Sequence, residues 1–288
     1  MSPGSAEPRY RALLDRDRAL FPSDAQFEHW KRHFVSELHR GDLILELLGQ
    51  YVRGFDPADL RVLDIGCGDG GVPIAFARAG ARAAGLEPGL RNLERAAVRA
   101  RDHGIPVDLV QGVAEALPYP AAAFDLVVLD NVLEHVEDRE ATLREIHRVL
   151  VPHGILYLVT PKPYAINSLI GDPHYHLPGL VLLPPAVQKR WIERRLGAGT
   201  YQVGRIPTRP WLRRALRRHG FRSLVPPREL WSRYVGDRIA RPEEVRAGVM
   251  RRLAGCLNGH RGVLANPVVR WLLDVAAGSN FFITRRAG

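Results

Sequence analysis

Cysteine is almost missing from this chain of 288 residues: Cys67 and Cys256 are the two thiols. They are too few for a disulfide framework, so stability has to come from a packed core, and a reducing, cytoplasmic setting is expected. Long apolar runs are missing too. No stretch of about 18 apolar residues occurs, so no hydrophobic membrane span is expected. The first residues, Met-Ser-Pro-Gly-Ser, lead into charged positions without an apolar core, so no signal peptide is expected. Lysine is scarce, with only Lys31, Lys162 and Lys189 among 41 basic residues. The net charge of +10 invites a nucleic-acid reading. Against it, Arg recurs with Ala, Gly, Pro and Leu along the whole chain as a general bias, and no aromatic-and-basic strip suited to stacking bases is present. Neither Cys-x-x-Cys nor His-Glu-x-x-His occurs. His174 and His176 beside Asp172 are the nearest approach to a ligand set, and no metal is expected. No internal repeat is found. What is there, 46% hydrophobic and 25% charged residues, is ordinary globular composition, so a sizeable core is expected.

The chain is organised around Arg61 to Gly71, Arg-Val-Leu-Asp-Ile-Gly-Cys-Gly-Asp-Gly-Gly. Val62, Leu63 and Ile65 read as a short buried strand. Four glycines follow in the six residues 66–71, and Val72 to Ala79 reads as a helix. Strand, glycine loop and helix make the first half of a nucleotide-binding βαβ unit. Gly66, Gly68 and Gly71 spell G-x-G-x-x-G, which alone fits a dinucleotide. The acids argue otherwise. Asp64 in the strand and Asp69 in the loop would repel a diphosphate at the point where its charge sits. They suit an ammonium or sulfonium group instead. Glu87 lies 23 residues after Asp64, at the end of the second strand, where an acid accepts hydrogen bonds from ribose hydroxyls. S-adenosylmethionine combines all these parts and is the expected cofactor.

The rest of the chain sorts around that unit. Residues 1–58 read as a helical cap, with Phe27, Trp30, Phe34 and Leu38 on one face, a break at Gly41, and Leu43, Ile44, Leu47, Leu48 and Tyr51 on a second. Part of this cap is expected to cover the ligand. Residues 59–162 form the cofactor-binding core, with strands at 62–65, 81–87, 107–110, 124–129 and 155–160. A helix is expected over 92–101 with Leu93, Ala96, Ala97 and Ala100 facing in, and another is expected to stop at Pro152 and Gly154. Continuous Val/Ile/Leu strands alternating with helices imply a doubly wound α/β fold with a parallel sheet buried on both faces. Residues 163–205, crowded with Pro and aromatics, read as a lid over an acceptor pocket. Residues 206–288 close the core with strands at 221–225 and 280–284 around a helical insert at 227–278.

On these motifs the chain resembles class I S-adenosylmethionine-dependent methyltransferases of the small-molecule, UbiE-like kind. The residues that carry the resemblance are Val62 to Gly70, Gly85-Leu86-Glu87-Pro88, Phe124 to Val127, Val132-Leu133-Glu134-His135-Val136 and Arg144 to Leu150. It is strong over residues 60–162 and weak beyond. It implies a seven-stranded, mostly parallel Rossmann-like sheet whose last strand is antiparallel. It also implies a cofactor set of Asp64, Gly66, Cys67, Gly68, Glu87, Pro88, Val113, Ala114, Glu115, Asp130 and Asn131. The family usually has Asp where Val113 stands, so adenine is expected to be held by apolar contact and by the backbone of Val113 and Ala114. Asp69 is expected either at the ligand or as a helix cap.

Methyl transfer to a small acceptor of apolar or ring character follows, most readily to oxygen, with nitrogen or carbon as alternatives. The general-base candidates are His174 first, then His135 at the start of the helix after strand four, and His176. An RNA acceptor gripped by Arg209 to Arg222 is the main rival, with a non-catalytic cofactor-binding protein behind it. A homodimer is the candidate assembly.

Overall fold

The computed structural model describes residues 7–21, 24–163, 177, 179–196, 206–224 and 279–288. Three helices come first: α1 (Pro8–Arg16), α2 (Asp24–Val35) and α3 (Glu37–Tyr51). The alternating core follows as β1 (Arg61–Ile65), α4 (Gly71–Arg78), β2 (Arg82–Glu87), α5 (Leu90–His103), β3 (Asp108–Gln111), β4 (Phe124–Asp130), α6 (Arg139–Val149) and β5 (Leu150–Pro161). Then come α7 (Pro185–Leu196), α8 (Arg209–Arg218), β6 (Phe221–Ser223) and β7 (Ser279–Arg286).

The strands form one seven-stranded sheet in the order β3-β2-β1-β4-β5-β7-β6. β7 runs antiparallel to both of its neighbours, and the other pairings are parallel, as expected for this fold class. Strand alternation sends Leu63 and Ile65 to the face covered by α6 and α8, where Leu143, Ile146, Leu212 and Leu216 are buried. It sends Val62, Leu126 and Val128 to the opposite face, against Ile44, Leu47 and Leu48 of α3 and Val72 and Phe76 of α4. Asp64, which alternates with Leu63, therefore points toward α3. Strand order reverses between β1 and β4, and such a switch point opens a crevice at the carboxyl ends of the strands.

Several expectations are corrected. Gly41 does not break a helix; it lies buried inside α3. A Cβ there would come 2.5 Å from the Ala75 Cβ and 3.1 Å from the Val72 Cα, so Gly41 is what lets α3 lie close against α4. Pro152 and Gly154 do not end a helix. α6 stops at Val149 and β5 has already begun at Leu150, with a register irregularity where it pairs with Phe124 and Leu126. On α5 the buried residues are Ala96 and Ala100 together with Arg95 and Arg99, whereas Leu93 and Ala97 are only half-buried. The arginines can be buried because each meets a carboxylate, as described below. The insert at 227–278 and most of the 163–205 segment lie outside the described residues, as do Val225 and Cys256.

Candidate active site

At the crevice the glycine loop leaves β1 and turns under β2. The N–H groups of Gly66 and Cys67 both donate to the Leu86 carbonyl, at 2.7 and 3.0 Å. Cys67 is buried with its sulfur against Gly85, so its side chain anchors the loop from beneath. Burial, followed by the charges of Asp64 and Glu87, pushes its thiol well up. Gly68 adopts φ +54°, and a Cβ on it would lie 2.6 Å from the Glu37 Oε1 and 3.5 Å from the Phe34 ring. Only glycine fits between the loop and the N-terminal helices there.

Glu87 closes the loop from the end of β2. Its Oε2 accepts from the Gly68 N–H at 3.2 Å, and its Oε1 accepts from the Gly89 N–H at 3.1 Å and the Asn92 amide at 2.9 Å. This carboxylate is buried and aimed across the glycine loop, where a ribose would lie. Pro88 is exposed next to it, and its carbonyl accepts from Gln111. Val113 is 49% exposed and Ala114 is buried. Glu115 is engaged elsewhere: its Oε1 accepts from the Glu137 and Asp138 N–H groups at 2.8 and 3.4 Å, fixing the loop after β4.

Asp64 and Asp130 stand at the ends of β1 and β4, joined by Glu37 from α3. Burial, then Asp130 and Glu37, push the Asp64 carboxyl well above the usual range. Burial raises Asp130 as well, and Arg40 opposes it from 3.7 Å. Burial and Asp69 raise Glu37 against the pull of Arg40 and Arg99. Asn131, at φ +57°, donates its amide to Asp130 and its N–H to the Val159 carbonyl, at 2.9 and 3.0 Å. The arrangement is a small acidic basin with the guanidinium of Arg40 at its edge and that of Arg99 behind Glu37.

Asp69 does not cap a helix. It is fully buried, accepting from the Tyr10 hydroxyl at 3.0 Å and the Arg95 Nε at 2.9 Å, while Gly70 occupies the cap position of α4. Arg95 reaches on to Asp17 at 2.7 Å and to Asn92 at 2.6 Å, and Asn92 holds Glu87. One α-helical turn along, Arg99 pairs with Glu7 at 2.6 Å and donates to the Phe34 and Val35 carbonyls at 3.1 Å. The N-terminal helices are thus bolted to the cofactor loop through buried ions. None of Tyr10, Glu37, Arg40, Arg95 and Arg99 was expected at the site. Their sequence signal is weak: Glu37 and Arg40 stand three apart on one helix face, next to a stronger apolar pattern.

The histidine expectations fare differently. His135 lies in the turn before α6, not at its start, because Asp138 is the cap and accepts from the Glu140 and Ala141 N–H groups, both at 2.9 Å. His135 is exposed to solvent. His174 and His176 lie outside the described residues. Among the described residues no group of three or more His, Cys, Asp or Glu is arranged to hold a metal ion, and no helix is long and apolar enough to cross a membrane.

A family profile described as "Methyltransferase domain" matches residues 63–158, the span from β1 to β5 that builds this crevice. A ubiquinone biosynthesis O-methyltransferase from Azorhizobium caulinodans is 37% identical over 190 residues, 60% of this chain and 73% of that protein. The chain belongs to the S-adenosylmethionine-dependent methyltransferases. A protein of the same description from Chelativorans sp. is 32% identical over 157 residues, and there the match spans 54% of this chain and only 56% of the relative. The fold matches the crystal structure of an S-adenosylmethionine-dependent methyltransferase from Mesorhizobium loti, with TM-score 0.55 at 20% identity, over 84% of this chain and 100% of that one. The methyltransferase crevice fits the family's cofactor on its own chemistry. A buried acid, Glu87, at the end of β2 would suit ribose hydroxyls, and the acidic basin of Asp64, Asp130 and Glu37 would suit the cationic sulfonium and ammonium groups.

Proposed function

We propose that this methyltransferase methylates a hydroxyl oxygen on a small acceptor of apolar or ring character. The observation that carries the reading is the acidic basin of Asp64, Asp130 and Glu37 at the switch point, with Glu87 beside it. The O-methyl specificity is supported by the relatives, which are ubiquinone biosynthesis O-methyltransferases. Glu87 would hold the ribose, Asp64 and the loop carbonyls the ammonium, Arg40 the carboxylate, and Val113 and Ala114 the adenine edge. When bound, S-adenosylmethionine supplies a methyl group on an already activated sulfonium leaving group.

The chain itself mostly has to place the acceptor oxygen in line, an effect that supplies about 7–11 kcal/mol in favourable cases. An acceptor hydroxyl that takes up the methyl group would have to give its proton to a base of the protein. We assign that base to His174 ahead of His176, in the Pro-rich segment, since exposed His135 is less suited. Replacing the right histidine with Ala should lower kcat by about 10²–10⁴-fold and leave cofactor affinity in place.

Calorimetry with S-adenosylhomocysteine tests the cofactor reading, and Glu87→Ala should weaken binding by about 1–3 kcal/mol. Unchanged affinity removes Glu87 from the ribose. Labelled methyl transfer to a panel of phenols, amines and carbon acids tests the oxygen assignment. A second reading has one observation in its favour: Arg213, Arg214, Arg217, Arg218 and Arg222 are all exposed on α8 and β6. RNA binding that weakens steeply with salt would carry an RNA acceptor, and flat, weak binding rejects it.

A further inference from the structure

The glycine loop spells a dinucleotide fingerprint and opens a helix, and loops of that kind bind diphosphates through backbone N–H groups at the helix N-terminus. Here two of those groups are already engaged. The Asp69 and Gly71 N–H groups both donate to the Glu37 Oε2, at 3.1 and 3.4 Å. The same side chain reaches Gly68, where a Cβ would meet its Oε1 at 2.6 Å. The backbone of α3 comes with it: a Cβ on Gly71 would lie 2.4 Å from the Glu37 Cβ and 2.5 Å from the Leu38 N. Glu37 is 5% exposed, and the Arg99 Nη1 stands 3.6 Å behind its Oε2. Asp69, the loop's own acid, does not do this work, because its carboxylate is turned to Arg95 and Tyr10.

We propose that Glu37 is a specificity-determining residue: its carboxyl group fills the anion position of the glycine loop and bars diphosphate-bearing nucleotides from it. Selection against dinucleotides then resides in α3, 32 residues before Asp69 of the loop that it guards. Repulsion by Asp64 is secondary, since Glu37 already occupies two of the loop donors that an incoming diphosphate would use. The inference goes beyond the proposed reaction and does not depend on which acceptor is methylated.

The test titrates inorganic pyrophosphate into the full-length wild type, Glu37→Ala and Glu37→Gln, read by calorimetry and by the amide NMR shifts of Asp69 and Gly71. S-adenosylhomocysteine is titrated in parallel. Two vacated N–H donors facing an anion should make Glu37→Ala bind pyrophosphate at least about tenfold more tightly than wild type, with shifts at those two amides. Glu37→Gln keeps an acceptor oxygen on both donors and should stay as blind as wild type. Arg99 retains Glu7 and two carbonyls in each variant, so folding is expected. Glu37→Ser carries the same expectation as Glu37→Ala and replaces it if the alanine variant does not fold. A folded Ala or Ser variant that binds pyrophosphate no better than wild type overturns the proposal and leaves Glu37 a structural cap. Pyrophosphate binding at those amides in wild type overturns it too. Failure of wild type to bind S-adenosylhomocysteine would instead strike the proposed function and leave this inference standing.

Discussion

Cofactor binding should expel a proton, and the expected number follows from the charges around Arg40. Asp64, Asp130 and Glu37 are gathered at one end of the crevice, each raised by burial, and Asp64 is raised further by the other two. Arg40 is the cation that opposes all three, with Arg99 assisting only at Glu37. Three buried acids facing Arg40, with Arg99 ion-paired to Glu37 alone among them, keep at least one proton near neutral pH, since even with both guanidiniums opposing it Glu37 is lifted to about 8. S-adenosylmethionine brings a sulfonium and an ammonium against one carboxylate, a single net positive charge, and so replaces that proton.

The sign is fixed by linkage. An acid whose pKa is raised in the free protein and falls on binding gives affinity that grows with pH between the two values. For about one proton released, Kd tightens by up to about tenfold per pH unit, about 1.4 kcal/mol, and levels off above the free-state pKa. The assay is calorimetry in two buffers of different ionisation enthalpy, with Kd followed from about pH 5.5 to about 8.5. Asp130→Asn, which removes one of the competing acids, should lower both proton release and slope. A Kd that stays flat across that range, with heats independent of buffer, refutes the charge count.

Other perturbations probe the frame around the site. Burial, helped by Asp130, lifts buried Glu134 to about 8. A folded pKa above the unfolded 4.5 means that stability is lost as pH rises between the two, by up to about 5 kcal/mol. Thermal melts should therefore show Glu134→Gln gaining on wild type as pH rises through that window, and a constant difference would dismiss the idea. Gly41→Ala sets a helix-propensity gain of about 1 kcal/mol against overpacking of about 1–3 kcal/mol or more. With contacts of 2.5 Å to the Ala75 Cβ and 3.1 Å to the Val72 Cα, packing should win, and a stabilised variant in urea denaturation would show the α3–α4 approach to be looser. Tyr10→Phe removes a buried hydrogen bond to Asp69 and should cost about 1.5–3 kcal/mol, checked in the same assay; an unchanged midpoint would mean that Arg95 alone holds the loop.

The division between what could be read from the residues and what could not has a physical cause. Strands β1 and β4 are buried on both faces, so Val62 to Ile65 and Phe124 to Leu129 show as near-continuous apolar runs, and a glycine loop between a strand and a helix is local chemistry. Glu87 was within reach for the same reason, since a strand end and a fixed distance from the loop locate it. Residue pattern misleads where a charged side chain does not face water. Arg95 and Arg99 are spaced as a helix face should be, yet that face is buried, because their partners Asp17, Asp69, Glu7 and Glu37 arrive from elements dozens of residues away. No spacing rule reaches across 92 residues, as from Glu7 to Arg99. A buried ion is tolerated only when its counter-ion is in place, so each of these side chains looks like surface until its partner is known. Gly41 is the same lesson in steric form. Alone in a helix it reads as a break; against Ala75 it is the residue that allows two helices to touch and brings Glu37 down onto the loop and Arg40 beside Asp130.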